Sequence, residues 1–232
     1  MARQTMPEQL AAVRLAIANS RNSSQIMAAL AEQGIDEAFL AQGEQLASIA
    51  SMAVATQDSA VGRQTEATNS YRAAEAAARR AYQDWAQACR ATLTPAQVQA
   101  LQIKAMPKNA VAFIGAANAL LDNVANNDEV RGKLARRGRT DAKLQIARGQ
   151  VAAFETSYQA QQANKAATRD ATNVQSEAFK ALRAWFVEFS RFARLALKGQ
   201  RALLDQILPP ARQSAAPSSG SGEPAPSPSP QP

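Results

Sequence analysis

Displaced against itself by about 104 positions, this chain lines up with its own second half without a gap. Leu30-Ala31-Glu32-Gln33-Gly34 falls on Leu134-Ala135-Arg136-Arg137-Gly138, and Glu66-Ala67-Thr68-Asn69 falls on Asp170-Ala171-Thr172-Asn173. Arg79, Arg90 and Leu93 meet Arg183, Arg194 and Leu197, while Tyr82 and Trp85 meet Phe186 and Phe189. A constant register over such a span predicts a tandem duplication and a pseudo-twofold fold whose halves supply the same elements. Residues 1–105 are read as the first helical repeat and 106–211 as the second, both in one intertwined domain.

The elements are expected to be helices throughout, an all-α fold. The chain is rich in Ala, poor in aromatics and nearly free of internal Pro, and no window alternates in the β-branched pattern of a strand. Punctuation places the helices. In the first copy, short helices are predicted over about 8–20 and 24–33, with Ser23 or Ser24 as N-cap and Gly34 as the stop. Asp36 opens a long helix to about 92, and Thr94-Pro95-Ala96-Gln97 is a capping box that starts a last helix over about 95–104. The second copy repeats this: a helix over about 109–125, one capped by Asn127 or Asp128 and ended by Gly138, a long helix from Thr140 to about Leu197, and a short one to Leu208 before Pro209-Pro210. Residues 212–232, almost wholly Ser, Pro, Gly and Ala, cannot bury enough apolar surface to offset ordering and read as a disordered Pro/Ser-rich tail.

Along the long helices, Ala53, Ala60, Ala67, Ala74, Ala81 and Ala88 recur every seventh residue, and Ala153, Ala160, Ala167, Val174 and Ala181 do so in the second copy. Small residues every two turns predict a close antiparallel helix–helix seam of coiled-coil type. Bulky residues crowd the ends (Phe39, Leu40, Leu46, Ile49, Met52, then Tyr82 and Trp85; Leu144, Ile146, Val151, Phe154, then Trp185 to Leu197), leaving polar middles at 55–70 and 159–177. Two long antiparallel helices with short helices packed at each end, an elongated bundle, follow from this pattern. The alternative breaks each long helix near Gly62 and Ala166 and folds the chain into a compact bundle.

Composition narrows the chemistry. There is no His, which removes the usual neutral-pH acid/base and the commonest metal ligand. The single Cys89 follows Trp85 by one turn on one helical face and reads as a small core residue. Carboxylates are scattered, and no Gly-rich loop follows a strand. No enzyme, cofactor, metal site or small-molecule substrate is therefore expected. Met1-Ala2-Arg3-Gln4 leads into an amphipathic segment, so no signal peptide is expected, and the apolar stretch 110–121 is too short to span a bilayer, which needs about 20 residues. A soluble cytoplasmic protein is expected; abundant Ala and Arg suit a GC-rich bacterial genome.

Where the copies differ, charge differs most. Residues 25–44 hold Glu32, Asp36, Glu37 and Glu44 and no base, whereas 129–148 hold Arg131, Lys133, Arg136, Arg137, Arg139, Lys143 and Arg148 against Glu129 and Asp141. In the antiparallel arrangement the acidic elbow lies near Arg191, Arg194, Lys198 and Arg201, which would neutralise it. The basic elbow lies near Arg79, Arg80 and Arg90, with Asp84 opposing. On a chain of formal charge +7, that end is expected to draw in an anionic partner. Its candidate residues are Arg79, Arg80, Arg131, Lys133, Arg136, Arg137, Arg139 and Lys143. The aromatics sit on apolar helix faces, not interleaved with the bases as single-strand nucleic-acid platforms are. The resulting expectation is a non-enzymatic helical scaffold or adaptor working through protein–protein contacts. The alternatives are peripheral binding to an acidic membrane or nucleic acid through the basic lobe, and self-association of acidic with basic elbows.

Overall fold

Helix boundaries follow the capping chemistry. The computed structural model describes residues 5–103 and 105–208, and within them the chain is α1 (Met6–Asn22), α2 (Ser24–Ala31), α3 (Glu37–Thr92), α4 (Pro95–Ala100), α5 (Ala110–Ala125), α6 (Asp128–Ala135), α7 (Asp141–Ala196) and α8 (Arg201–Ile207). No strand occurs among the described residues. The expected tail, 212–232, and Pro209-Pro210 lie outside them.

Caps satisfy the amide groups that each helix start leaves without a partner. Asp36 Oδ1 accepts from the Phe39 amide at 2.9 Å, Asn109 Oδ1 from Ala112 at 3.1 Å and Asn127 Oδ1 from Val130 at 3.0 Å. Thr94 and Gln97 close a reciprocal box in which Thr94 Oγ1 accepts from the Gln97 amide and Gln97 Oε1 from the Thr94 amide. α1 starts two residues earlier than expected because Glu8 Oε2 accepts from the Thr5 amide at 2.9 Å. α4 stops at Ala100, short of 104, where Gln102 turns to a φ of 51°.

α3 and α7 are single helices of 56 residues each, continuous through Gly62 and Ala166. At 1.5 Å per residue each runs roughly 84 Å. A lone glycine costs a helix only about 1 kcal/mol, and no Pro removes a ladder hydrogen bond in either middle. Glu37 and Asp141 open the long helices and Thr92 and Ala196 close them, each pair 104 positions apart. Ser24 and Asp128, and Ala31 and Ala135, bound α2 and α6 at the same spacing.

The described residues fall into two packed units whose borders cross the long helices: one holds residues up to Ser51 and from Ala178 on, the other Met52–Glu177. In the first, Val13, Ile17, Ile26, Leu30, Ile35 and Leu40 are buried, as are Phe179, Leu182, Trp185, Phe189, Leu197 and Ile207. α1 packs on α2 and α8, and Asn19 Nδ2 donates to the Gln206 carbonyl. Gly43 fits beneath Trp185: a Cβ there would lie closer than 3.0 Å to three atoms of the indole. The positions 104 residues away hold Ala147 and Ala81, both buried. One unit thus uses a small–large pair where the other uses two alanines.

The second unit centres on Tyr82, Trp85, Cys89 and Leu101 together with Phe113, Leu120, Leu121, Val130, Leu134, Val151 and Phe154. Phe113 stands 5.8 Å from both Tyr82 and Phe154, and Tyr71 5.3 Å from Phe154 (ring centroids). Within this unit α3 and α7 run antiparallel: Ala60 meets Thr168, while Tyr71, further along α3, meets Tyr158 and Phe154, further back along α7.

The alanine seams part company with expectation. On α3, Ala53, Ala60 and Ala81 are buried and Ala67, Ala74 and Ala88 half-buried, as a packed seam requires. On α7, Ala153, Ala160, Ala167, Val174 and Ala181 are all exposed. The inward heptad of α7 is instead Ala147, Phe154, Gln161, Thr168, Gln175, Leu182 and Phe189. Side-chain volume and hydrogen bonding choose the face: Thr168 Oγ1 donates to the Ala60 carbonyl across the helix pair at 3.2 Å. Several bulky residues expected in the cores, Ile49, Met52, Ile146 and Leu195, are exposed.

Candidate functional site

The turn between α6 and α7 is the basic elbow, and its backbone is tightly specified. The Arg139 amide donates to the Leu134 carbonyl at 3.0 Å, Gly138 to Ala135 at 2.9 Å and Arg137 to Leu134 at 2.9 Å. Gly138 takes a φ of 77°, the left-handed conformation that lets a helix reverse without a Cβ clash. The turn between α2 and α3 has the same bonds: Ile35 to Leu30, Gly34 to Ala31 and Gln33 to Leu30, each 3.0 Å, with Gly34 at 80°. One backbone device therefore carries Glu32, Gln33 and Ile35 in one turn and Arg136, Arg137 and Arg139 in the other.

The sequence-derived candidates divide by what their side chains touch. Arg79 is committed to structure: it pairs with Glu75 at 2.8 Å, donates to the Pro107 and Lys108 carbonyls at 2.9 and 3.1 Å, and lies 4.6 Å over the Phe113 ring. It ties α3 to the segment leading into α5 and is no part of a free basic surface. Arg131 pairs with Asp128 at 2.7 Å and, more loosely, with Asp141 at 3.6 Å. Lys133 pairs with Glu129 at 2.7 Å and donates to Gln97 Oε1 at 3.2 Å. The Lys133 ammonium holds the Glu129 carboxyl below the usual carboxylate range. Arg148, at the base of the elbow, is bound to Asp122.

The rest keep their charge uncancelled. Lys143 donates to the Gly138 carbonyl at 2.8 Å and so caps the turn without meeting a carboxylate. Arg139 lies 5.9 Å from the Trp85 ring centroid, a cation–π placement that seats the elbow on α3. Arg80, Arg136 and Arg137 are exposed, with no ion pair among the described residues. Arg90 and Arg139 both act on buried Cys89, whose thiol is nonetheless pushed up to about 11 because burial outweighs them. A thiol so placed is a poor nucleophile at neutral pH. The elbow's available cations are thus Arg136, Arg137, Arg139 and Lys143, with Arg90 beside them.

The acidic elbow is offset in part by a residue other than those expected. Arg21, in the last turn of α1, pairs with Glu37 at 2.6 Å and Glu44 at 2.8 Å. These two hydrogen bonds raise the Arg21 pKa. Asp36 is spent on its cap, and Arg201 reaches Asp205 within its own helix at 3.9 Å. At the basic elbow the matching pair is charge-reversed, Asp122 of α5 holding Arg148, and among the described residues no acid reaches Arg136 or Arg137.

Among the described residues no three His, Cys, Asp or Glu side chains group as metal ligands, and no helix is long and apolar enough to cross a membrane. Compared with known proteins, the chain matches no family model, no curated protein and no solved structure.

Proposed function

We propose that this chain is a non-enzymatic helical scaffold that works through contacts with other proteins, and that the basic elbow at 136–143 docks an acidic surface of its partner. The observation that carries this reading is the internal comparison of the two turns. They share backbone bonds, glycine conformation and spacing, so folding does not demand arginine at 136 and 137; the sister turn does with Glu32 and Gln33. Arginine at a helix C-terminus gains some dipole energy, about 0.3–1 kcal/mol, which accounts for one such charge better than for a cluster. Free guanidinium groups on a rigid turn recognise carboxylates through paired hydrogen bonds. A cytoplasmic setting suits this reading. The matched helix bounds and turns also support descent of the two halves from one duplicated, pseudo-twofold unit.

The test exchanges the turns. Arg136→Glu with Arg137→Gln places at the basic elbow what the acidic one carries, and stability should stay within about 0.5 kcal/mol, as for surface changes generally. The parent protein should bind an oligoglutamate peptide at low salt, weaken as salt rises, and lose tenfold or more in affinity on exchange. A parent that ignores the peptide while binding phosphatidylserine vesicles or duplex DNA through the same arginines would favour the second reading, an anionic surface other than protein. Affinity untouched by the exchange contradicts both. Self-association of unlike elbows would have to compete with Arg21 for Glu37 and Glu44, leaving Glu32 and Asp36 as the elbow's acids without an ion pair among the described residues.

A further inference from the structure

Midway along the antiparallel pair, within the Met52–Glu177 unit, lies a second cationic feature unrelated to the elbow. A shallow recess of roughly 450 Å³ is lined by Gln64 of α3 and Lys165, Thr168, Arg169, Thr172 and Asn173 of α7. It is open to solvent, so a ligand there would be held by charge and hydrogen bonds and not by burial.

Every side chain around it is polar, and its hydrogen-bond economy is lopsided. The Thr168 hydroxyl shares its one proton between the Asn164 carbonyl at 2.9 Å and the Ala60 carbonyl at 3.2 Å, and that of Thr172 donates to the Thr168 carbonyl at 2.8 Å. The threonines thus spend their protons on backbone, and Thr168 ties α7 to α3. The donors left to the recess are the Lys165 ammonium, the Arg169 guanidinium and the Gln64 and Asn173 amides. Lys165 makes one long contact, 3.4 Å to Gln161 Oε1, and neither cation has an ion pair among the described residues.

The helix positions one turn from the two cations and Gln64 supply no acid, although Asp170 and Glu177 flank Asn173. Three and four residues from Lys165 stand Gln161, Gln162, Thr168 and Arg169; from Arg169, Lys165, Ala166, Thr172 and Asn173; from Gln64, Ala60, Val61, Ala67 and Thr68. Two like charges at i and i+4 destabilise a helix slightly. No acid stands three or four residues from either Lys165 or Arg169 to offset this.

We propose that this recess binds a small, multiply charged oxyanion, a phosphate or carboxylate compound, held by Lys165 and Arg169 and oriented by the Gln64 and Asn173 amides. Arg169 offers a planar fork to two oxygens and Lys165 a point charge to a third.

The test is a titration of the full chain with sodium pyrophosphate and, separately, sodium citrate at constant ionic strength, followed by amide NMR. Saturable shifts of the Gln64 and Asn173 side-chain amides and of the 164–173 backbone are expected. Saturation by either compound supports the proposal, and the one that saturates at lower concentration tells phosphate from carboxylate. Lys165→Gln and Arg169→Gln should each weaken binding tenfold or more, the loss of one charge-assisted hydrogen bond. The Arg136→Glu, Arg137→Gln exchange should leave it unchanged, which separates this site from the elbow. Shifts that follow ionic strength alone, or an affinity indifferent to both glutamine variants, overturn it. The shift map comes from the unaltered protein, so that outcome does not depend on whether a variant folds.

Discussion

Replacing Phe154 with Ala should lower stability by about 3–5 kcal/mol, the range for deleting a fully buried aromatic ring. Phe154 of α7 is 0 % exposed and touches Tyr71 of α3 and Phe113 of α5. Its removal leaves a cavity where three helices meet, and it also forfeits ring–ring attraction of about 0.5–1.5 kcal/mol per aromatic pair. Neighbours cannot close the gap cheaply, because Phe113 is itself held by Tyr82 and by the Arg79 guanidinium. Urea denaturation followed by far-ultraviolet circular dichroism measures the loss. Against a total stability of about 5–15 kcal/mol for ordinary domains, it should move the midpoint far toward zero urea. A shift under about 1 kcal/mol would mean that this aromatic cluster is not the core of its unit.

Gly43→Ala should destabilise although alanine is the better helix former. Propensity alone favours Ala over Gly by about 1 kcal/mol within a helix. At Gly43 the added methyl meets the Trp185 ring, and that ring has nowhere to go. Trp185 is 4 % exposed, donates from Nε1 to the Phe39 carbonyl at 3.2 Å, and is stacked between Phe39 at 5.4 Å and Phe189 at 5.3 Å. Overpacking of this kind costs about 1–3 kcal/mol and outweighs the propensity gain. Gly62, in the same helix, has nothing within 4 Å of the position its Cβ would take. Gly62→Ala should therefore stabilise, by about 1 kcal/mol. The opposite signs at two glycines of one helix, read from paired thermal melts, isolate packing from backbone entropy. Two variants that both stabilise would refute the close fit of Gly43 to Trp185.

Helix boundaries were the most legible feature, because they are set locally. Asn127 and Gly138 announce α6 through capping and a left-handed turn, and Asp36 announces α3, without reference to anything distant. The inward face of α7 was not legible. Alanine marks a seam only where nothing larger competes, and in α7 the polar residues Gln161, Thr168 and Gln175 occupy the inner heptad while the alanines face out. A sequence rich in Ala offers several seven-residue ladders and no local reason to prefer one.

The candidate site was legible in sign and not in membership. An excess of Arg and Lys at 129–148 is plain from the sequence, but which of them remain free depends on partners brought from elsewhere. Arg79 is consumed by Glu75, two carbonyls and Phe113, while Arg131 and Lys133 are paired with Asp128 and Glu129. The same non-local logic explains Arg21. Nothing in its neighbourhood along the chain signals that it will serve Glu37 and Glu44, 16 and 23 positions away. The recess around Lys165 and Arg169 is not legible in the sequence, because its residues sit in a stretch that reads as merely polar. It becomes a feature only when α3 supplies Gln64.

Both packed units draw their cores from both halves of the chain. Residues 78–101 and 113–154 build one core, and buried residues from Val13 to Ala50 and from Phe179 to Leu208 build the other. The most direct measurement is therefore to produce 1–105 and 106–211 as separate polypeptides and follow their unfolding by circular dichroism and their mass by light scattering. Neither should unfold cooperatively as a monomer, and mixing them should restore a one-to-one complex with a sharp transition. A monomeric half that melts cooperatively by itself would contradict the account.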